Sequence, residues 1–147
     1  MEYNNAEFLF ETNVPADELI VSRTDLTGKI TYANDTFLDI SGFTKEEFVG
    51  QKHNIVRHPD MPASIFANLW ETIQNEQKWT GIVKNLRKDG GFYWVHATIS
   101  GVYKNNTLVE YKSIRVPISA SEKLQTQKEY DLLKKQNNEK TRHVVYK

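Results

Sequence analysis

Residues 79–118 read WTGIVKNLRKDGGFYWVHATISGVYKNNTLVEYKSIRVPI, and the two turns inside this stretch decide the fold. Lys88-Asp89-Gly90-Gly91 is a strong Asp-Gly hairpin signal. Asn105-Asn106-Thr107 turns the chain a second time. Three strands are expected, Trp79 to Arg87, Phe92 to Tyr103 and Leu108 to Ile118, each antiparallel to the next. Side chains alternate along a strand. On the first, one face carries Trp79, Gly81, Val83 and Asn85, and the other Thr80, Ile82, Lys84 and Leu86. Lys84 is assigned to water, which turns the Trp79 face inward. The Asn85 amide then sits on an apolar wall beside the gap at Gly81. An unpartnered buried amide costs about 1–3 kcal/mol. Asn85 therefore needs a partner, either a loop carbonyl or a ligand.

Upstream, Leu19 to Arg23 is a β-branched run, Asp25 to Gly28 a turn, and Lys29 to Ala33 a second strand. Asn34 or Asp35 caps a short helix that Ser41-Gly42 closes. Thr44 and Glu47 form a capping box. Residues 51–62, with two prolines and two histidines, read as loop or a single helical turn. Asp60 and Pro62 open a firmer helix to about Gln74, with Ile65, Phe66, Leu69, Trp70 and Ile73 on one stripe. Downstream, 119–140 is polar and helix-permissive. Consecutive hairpins force antiparallel pairing, and helices between them must cover one face. The expected fold is α+β: a five-stranded antiparallel sheet with short helices over one face and a cleft between them. Residues 1–18 are expected to be an N-terminal arm or cap, 19–118 the domain, and 119–147 a C-terminal helix and tail.

Composition narrows the chemistry. The 147 residues hold 19 basic and 19 acidic side chains, a balance that argues against nucleic-acid binding. No stretch approaches the roughly 18–20 consecutive apolar residues of a membrane span. The acidic N-terminus lacks the form of a signal peptide, so a cytoplasmic location is expected. Charge is nevertheless polarised: residues 1–60 carry 5 Lys/Arg and 11 Asp/Glu, and 61–147 carry 14 and 8. This reads either as a solvated surface or as a polar molecule that packs head to tail or docks an acidic partner. Cysteine is absent, which removes thiolate chemistry, Cys-ligated metals and cysteinyl adducts.

The segment His53-Asn54-Ile55-Val56-Arg57-His58-Pro59-Asp60 is dense in polar and cationic groups. It reads as a surface loop with an internal Arg57–Asp60 pair, or as an anion or polar-ring site beside the cleft in which Arg57 supplies a planar fork. His53 and His58 lack the carboxylate set and helical spacing of a metal site. No catalytic signature appears, so no enzymatic turnover is expected.

Ile30-Thr31-Tyr32-Ala33-Asn34-Asp35-Thr36-Phe37 with Ser41-Gly42-Phe43-Thr44 resembles the opening of a PAS domain. Gly50-Gln51 and His53 through Pro62 are similar to the flavin-binding PAS domains of bacterial aerotaxis receptors (Aer). So are Trp79 to Asn85, Arg87 to Gly90 and Tyr93-Trp94-Val95. The resemblance runs from about Leu19 to Ile118. It implies FAD held non-covalently as a redox or oxygen sensor. It further implies that Arg57, His58 and Asp60 hold the FAD, that Asn34 and Asn85 line the pocket, and that His53, Trp70 and Trp79 lie close to it. Asn85 would serve oxidised and reduced flavin by rotating its amide about 180°.

The receptors continue into a membrane segment, a HAMP domain and a coiled coil. This chain looks instead like the free-standing, CetB-like partner of a bipartite energy-taxis system. The implied partner is a membrane-anchored methyl-accepting, HAMP-containing signal transducer, which would bring the protein to the membrane without insertion. A homodimer through the N-terminal segment or the sheet face is also implied. Two alternatives stay open: a cofactor-free PAS interaction module, and a haem-binding PAS sensor with His53 or His58 as axial ligand.

Overall fold

Turn chemistry and strand alternation give one sheet. In the computed structural model, which describes residues 10–139, β1 (Ile20–Thr24), β2 (Ile30–Ala33), β3 (Trp79–Leu86), β4 (Phe92–Lys104) and β5 (Thr107–Val116) pair antiparallel in the order β2-β1-β5-β4-β3. The β4–β5 turn holds Asn105 and Asn106 at φ 51° and 63°, the left-handed pair a tight hairpin demands. Between β2 and β3 lie α1 (Asp35–Ser41), α2 (Lys45–Phe48), a 3-10 turn (His53–Val56) and α3 (Ala63–Gln74). The fold class expected from the turns is the one present.

The inner sheet face is read from the register. Ser22 pairs with Ser113, Ser113 with Ile99, and Ile99 with Trp79, so one row crosses four strands. A parallel row runs from Ile20 through Arg115 and Ala97 to Gly81. Beneath α1 and α2, Phe37 meets Phe48 edge-on at 4.9 Å and Phe43 stacks on Phe48 at 5.4 Å. Burying each of these rings contributes about 1.5–3 kcal/mol. That cluster anchors the helical segment and leaves the space between α3 and the sheet unfilled.

The expected arm is tied down where it is described. Thr12 N–H donates to the Phe92 carbonyl at 2.8 Å, Phe92 N–H donates to the Phe10 carbonyl at 2.9 Å, and Val14 is buried. Residues 1–9 of that expected arm lie outside the described residues.

The C-terminal helix α4 (Ala120–Gln136) begins with a capping box between Ser119 and Glu122. Its apolar positions are sparse, yet it docks on the domain through polar contacts. The Tyr130 hydroxyl donates to the Ile82 carbonyl. Lys134, 1% exposed, pairs with Asp60 Oδ1 and donates to the Asp60 carbonyl at 2.9 Å. Gln127 Nε2 donates to Asp60 Oδ2 at 3.1 Å, and Glu139 accepts from Ala63 N–H at 2.7 Å. Lys84 corrects the sequence reading. It points away from the Trp79 face as expected but does not reach water, being 8% exposed and paired with Asp60 Oδ2 at 3.0 Å.

Asp60 is therefore the counter-charge for two buried ammonium groups. Burial pushes its carboxyl up, but the Lys134 hydrogen bond and the Lys84 charge and hydrogen bond outweigh it and hold it below its ordinary value. Its contribution is complete above the unfolded carboxylate value of about 3.9 and is lost as pH falls through the lower folded value. Asp60→Asn should destabilise the fold by about 3–5 kcal/mol, since buried Lys84 loses its carboxylate and buried Lys134 is left with the half-exposed Asp131 at 3.4 Å. Urea unfolding at neutral pH checks this, and a loss below about 1 kcal/mol would contradict it.

Candidate functional site

A cavity of about 630 Å³ lies between the sheet and α3. Its floor is apolar, formed by Val83, Ala97 and Ile99. The Trp79 indole lies across Gly81, where a Cβ would meet the ring at 2.5 Å, so only glycine admits this packing. Trp79 Nε1–H donates to Asn68 Oδ1 at 2.9 Å and ties β3 to α3. On the opposite side Trp70 closes on Gly28, at φ +92°, and meets Tyr111 edge-on at 6.2 Å. Trp70, Trp79 and Phe66 stand in the walls and leave the space between them open.

The polar lining is one-sided. Lys52, Arg57 and Arg115 line the cavity, Lys112 borders it from a β5 position that alternates to the other sheet face, and among the described residues no Asp or Glu lines it. Arg57 lies over the Phe66 ring at 4.1 Å. Arg115 is 4% exposed, its guanidinium 5.6 Å from the Phe37 ring centroid. Among the described residues, no carboxylate pairs with either arginine. Burial pulls Arg115 down to about 10, which still leaves it cationic at neutral pH. Isolated buried charge is costly, so Arg115 above all, with half-buried Arg57 beside the same cavity, is suited to an anionic or electron-rich ligand.

His53 completes the arginine end. Its Nε2 lies 3.2 Å from Arg115 Nη1 and 3.1 Å from Ser22 Oγ. Arginine can only donate, so Nε2 accepts and the ring proton sits on Nδ1. Burial, then the Arg115 charge, pull the imidazole down to about 3.

Asn85 shows how its two expected partners divide. Its Nδ2 donates to the Val56 carbonyl at 3.1 Å, while Oδ1 is buried without a protein partner. The backbones of Arg57 and Asn85 form an antiparallel bridge, which fixes the loop against β3. Rotating the amide by 180° would set Oδ1 against the Val56 carbonyl. The expected flip therefore costs a hydrogen bond and opposes two acceptors.

Five residues expected at the site meet on this cavity: His53, Arg57, Trp70, Trp79 and Asn85. Three do not. Asn34 caps α1, its Oδ1 accepting from Val21 and Phe37 N–H at 3.1 Å each and its Nδ2 donating to Leu19 O at 2.8 Å. Its hydrogen-bonding capacity is used by the backbone. His58, 1% exposed, accepts from Asp60 N–H at Nδ1 and meets the Phe92 ring edge-on at 5.8 Å, away from the cavity lining. Asp60 forms the lysine cluster on α4, so the expected Arg57–Asp60 pair is replaced by Lys84 and Lys134. The haem alternative loses geometric support: His58 is off the cavity and His53 Nε2 already accepts hydrogen bonds.

Arg115, Ser113, Ser22 and Phe66 line the cavity and were not read from the sequence as site residues. Alternation along β5 does put Tyr111, Ser113 and Arg115 on one face. A polar and cationic set of that kind reads as the wet side of a strand unless a ligand is allowed for.

A family model described as "PAS fold" matches residues 30–115. The chain belongs to the PAS-fold family. This PAS domain is 46% identical over 110 residues to the aerotaxis receptor of Escherichia coli (strain K12), across 74% of the chain and 22% of the receptor. It thus spans about a fifth of that relative's length. The PAS domain of a Colwellia psychrerythraea protein superposes with TM-score 0.61 at 29% identity, covering 68% of this chain and 86% of that one. A structure reported under the words "Flavin Analogue Sheds Light on Light-Oxygen-Voltage Domain Mechanism" superposes with TM-score 0.63 at 22% identity, covering 83% of this chain and 87% of that one. At that identity the likeness speaks for the fold. The protein is a PAS sensor domain related to the aerotaxis receptor.

The His53 arrangement makes a direct prediction. Because its folded value lies below the unfolded one of about 6.5, His53 favours the fold when neutral, and stability declines as pH drops from about 6.5 toward about 3. Nitrogen-15 NMR should show a neutral, Nδ1-protonated ring throughout pH 5–8. A midpoint inside that window would contradict the Arg115–Nε2 contact.

Proposed function

We propose that the cavity binds FAD non-covalently and that the domain reports redox or oxygen status. The observation that carries the reading is the buried Asn85 Oδ1, without a partner among the described residues, on a cavity that Lys52, Arg57 and Arg115 line and none of the described carboxylates does. An oxidised isoalloxazine has one ring N–H flanked by two carbonyl oxygens, and a lone amide oxygen is a fitting acceptor for that N–H. Val83, Ala97 and Ile99 offer the flat apolar floor, and Trp79 over Gly81 the side wall. Lys52 supplies positive charge suited to the diphosphate that distinguishes FAD from smaller flavins. Bound there, the flavin supplies a reversible electron acceptor.

The chain's own residues define what is read. Val56 holds the Asn85 amide in one orientation, so a change in what Oδ1 meets is taken up as strain in β3 or the 53–60 loop rather than by amide rotation. Lys84, the neighbour of Asn85 on the other strand face, joins Asp60 and Lys134 of α4. A difference of 1–3 kcal/mol between ligand states would shift a two-state docking equilibrium about 5- to 150-fold. The receiving partner in this reading is a membrane-anchored, methyl-accepting, HAMP-containing transducer of the chemotaxis type. The likeness to an aerotaxis receptor supports this. A homodimer through the N-terminal segment or outer sheet face is compatible with the same output. No helix among the described residues is long and apolar enough to cross a membrane.

Absorption of the purified protein tests the reading. The expected result is a bound-flavin spectrum, FAD as the species released on denaturation, and loss of at least about tenfold in affinity in Asn85→Ala with folding intact. A wild-type protein that neither retains nor takes up any flavin overturns it.

A further inference from the structure

The geometry points to Arg115 as the residue that holds negative charge acquired by the bound ring, making the cavity selective for the electron-rich state of its ligand. The inference rests on the flavin reading and adds a residue and a direction to it. Among the described residues, Arg115 Nε is buried without a hydrogen-bond partner, and Nη1 meets neutral His53. With no carboxylate paired to it among the described residues, its charge is available to the ligand. A second orphan lies toward the same end. The Arg115 charge acts on the Tyr93 hydroxyl, and Tyr93 is the cross-strand partner of Asn85. The cavity thus sets a lone donor, Arg115 Nε, toward the same end of the sheet as a lone acceptor, Asn85 Oδ1. The pyrimidine edge of an isoalloxazine, with an N–H between two carbonyl oxygens, presents the complementary pattern.

The charge balance follows from general flavin chemistry. Two electrons and one proton delivered to the oxidised ring leave one net negative charge, spread over N1 and the C2 oxygen. A guanidinium near that edge lowers the energy of the reduced ring and leaves the neutral oxidised ring little affected. Neutral His53 adds no competing charge, because its burial and then the Arg115 charge disfavour its protonation. Arg115 is then a specificity residue for redox state, distinct from Asn85, which recognises the ring in either state.

Flavin affinity measured for the oxidised ring and for the dithionite-reduced ring, in wild type and in Arg115→Gln and Arg115→Lys, tests this. Arg115→Gln is expected to weaken the reduced complex about 10- to 100-fold more than it weakens the oxidised complex, which loses a hydrogen bond but no charge pairing. Arg115→Lys, which keeps the charge, is expected to preserve the wild-type ratio of the two affinities. A structural role alone would weaken both states together, and that outcome, or an unchanged ratio in Arg115→Gln, overturns the inference. Should Arg115→Gln fail to fold, the Lys variant decides: a ratio reduced tenfold despite the retained charge overturns it. Absence of flavin binding in wild type overturns this inference and the flavin reading together. Binding with an Arg115-independent ratio overturns this one alone.

Discussion

One buried amide organises the domain. Asn85 spends its nitrogen on the Val56 carbonyl and keeps an oxygen that none of the described residues satisfies. The first contact fastens the 53–60 loop to the sheet, and the backbone bridge from Arg57 reinforces it. The second leaves a buried acceptor, whose desolvation costs about 1–3 kcal/mol unless a ligand donates to it. Arg115 and its orphaned Nε repeat the same imbalance with positive charge. The cavity is therefore built with unmet polar demand on two sides and an apolar floor between them.

The same strand looks both ways. Asn85 faces the cavity while Lys84 faces α4, and the loop that meets Asn85 at Val56 reaches α4 at Asp60 only four residues on. A polar helix with few apolar positions is held by two buried ammonium groups sharing one carboxylate. Burial pulls Lys84 down while the Asp60 charge pushes it up, and the balance lies below its ordinary value. Such clusters tolerate little displacement, because losing one partner leaves an uncompensated charge.

Much of this was legible in the residues. Asp89-Gly90 and Asn105-Asn106 fixed the hairpins because few residues other than these adopt the backbone such turns require. Period-2 alternation placed Trp79, Val83 and Asn85 inward correctly. The same logic misassigned Lys84, because a strand's outer face is wet only if nothing covers it, and α4 lacks the apolar stripe that announces docking. Asp60 and His58 sit in a motif dense with polar groups, and sequence proximity to Arg57 could not separate residues that face the cavity from those that face the helix. Asn34 serves the backbone, capping α1 and bonding to Val21 and Leu19, and it lies off the cavity lining. Arg115 stayed hidden because an inward arginine violates the rule that strands bury apolar groups, and such violations concentrate where ligands bind.

The central claim is that the unmet acceptor on Asn85 belongs to a flavin. A crystal structure of the protein grown with FAD tests it most directly. The account predicts the isoalloxazine lying on Ala97 and Ile99, its ring N–H within about 3 Å of Asn85 Oδ1 and the guanidinium of Arg115 toward the same edge. A cavity filled by water or by collapsed tryptophan rings, with flavin absent or bound on the outer surface, would contradict it.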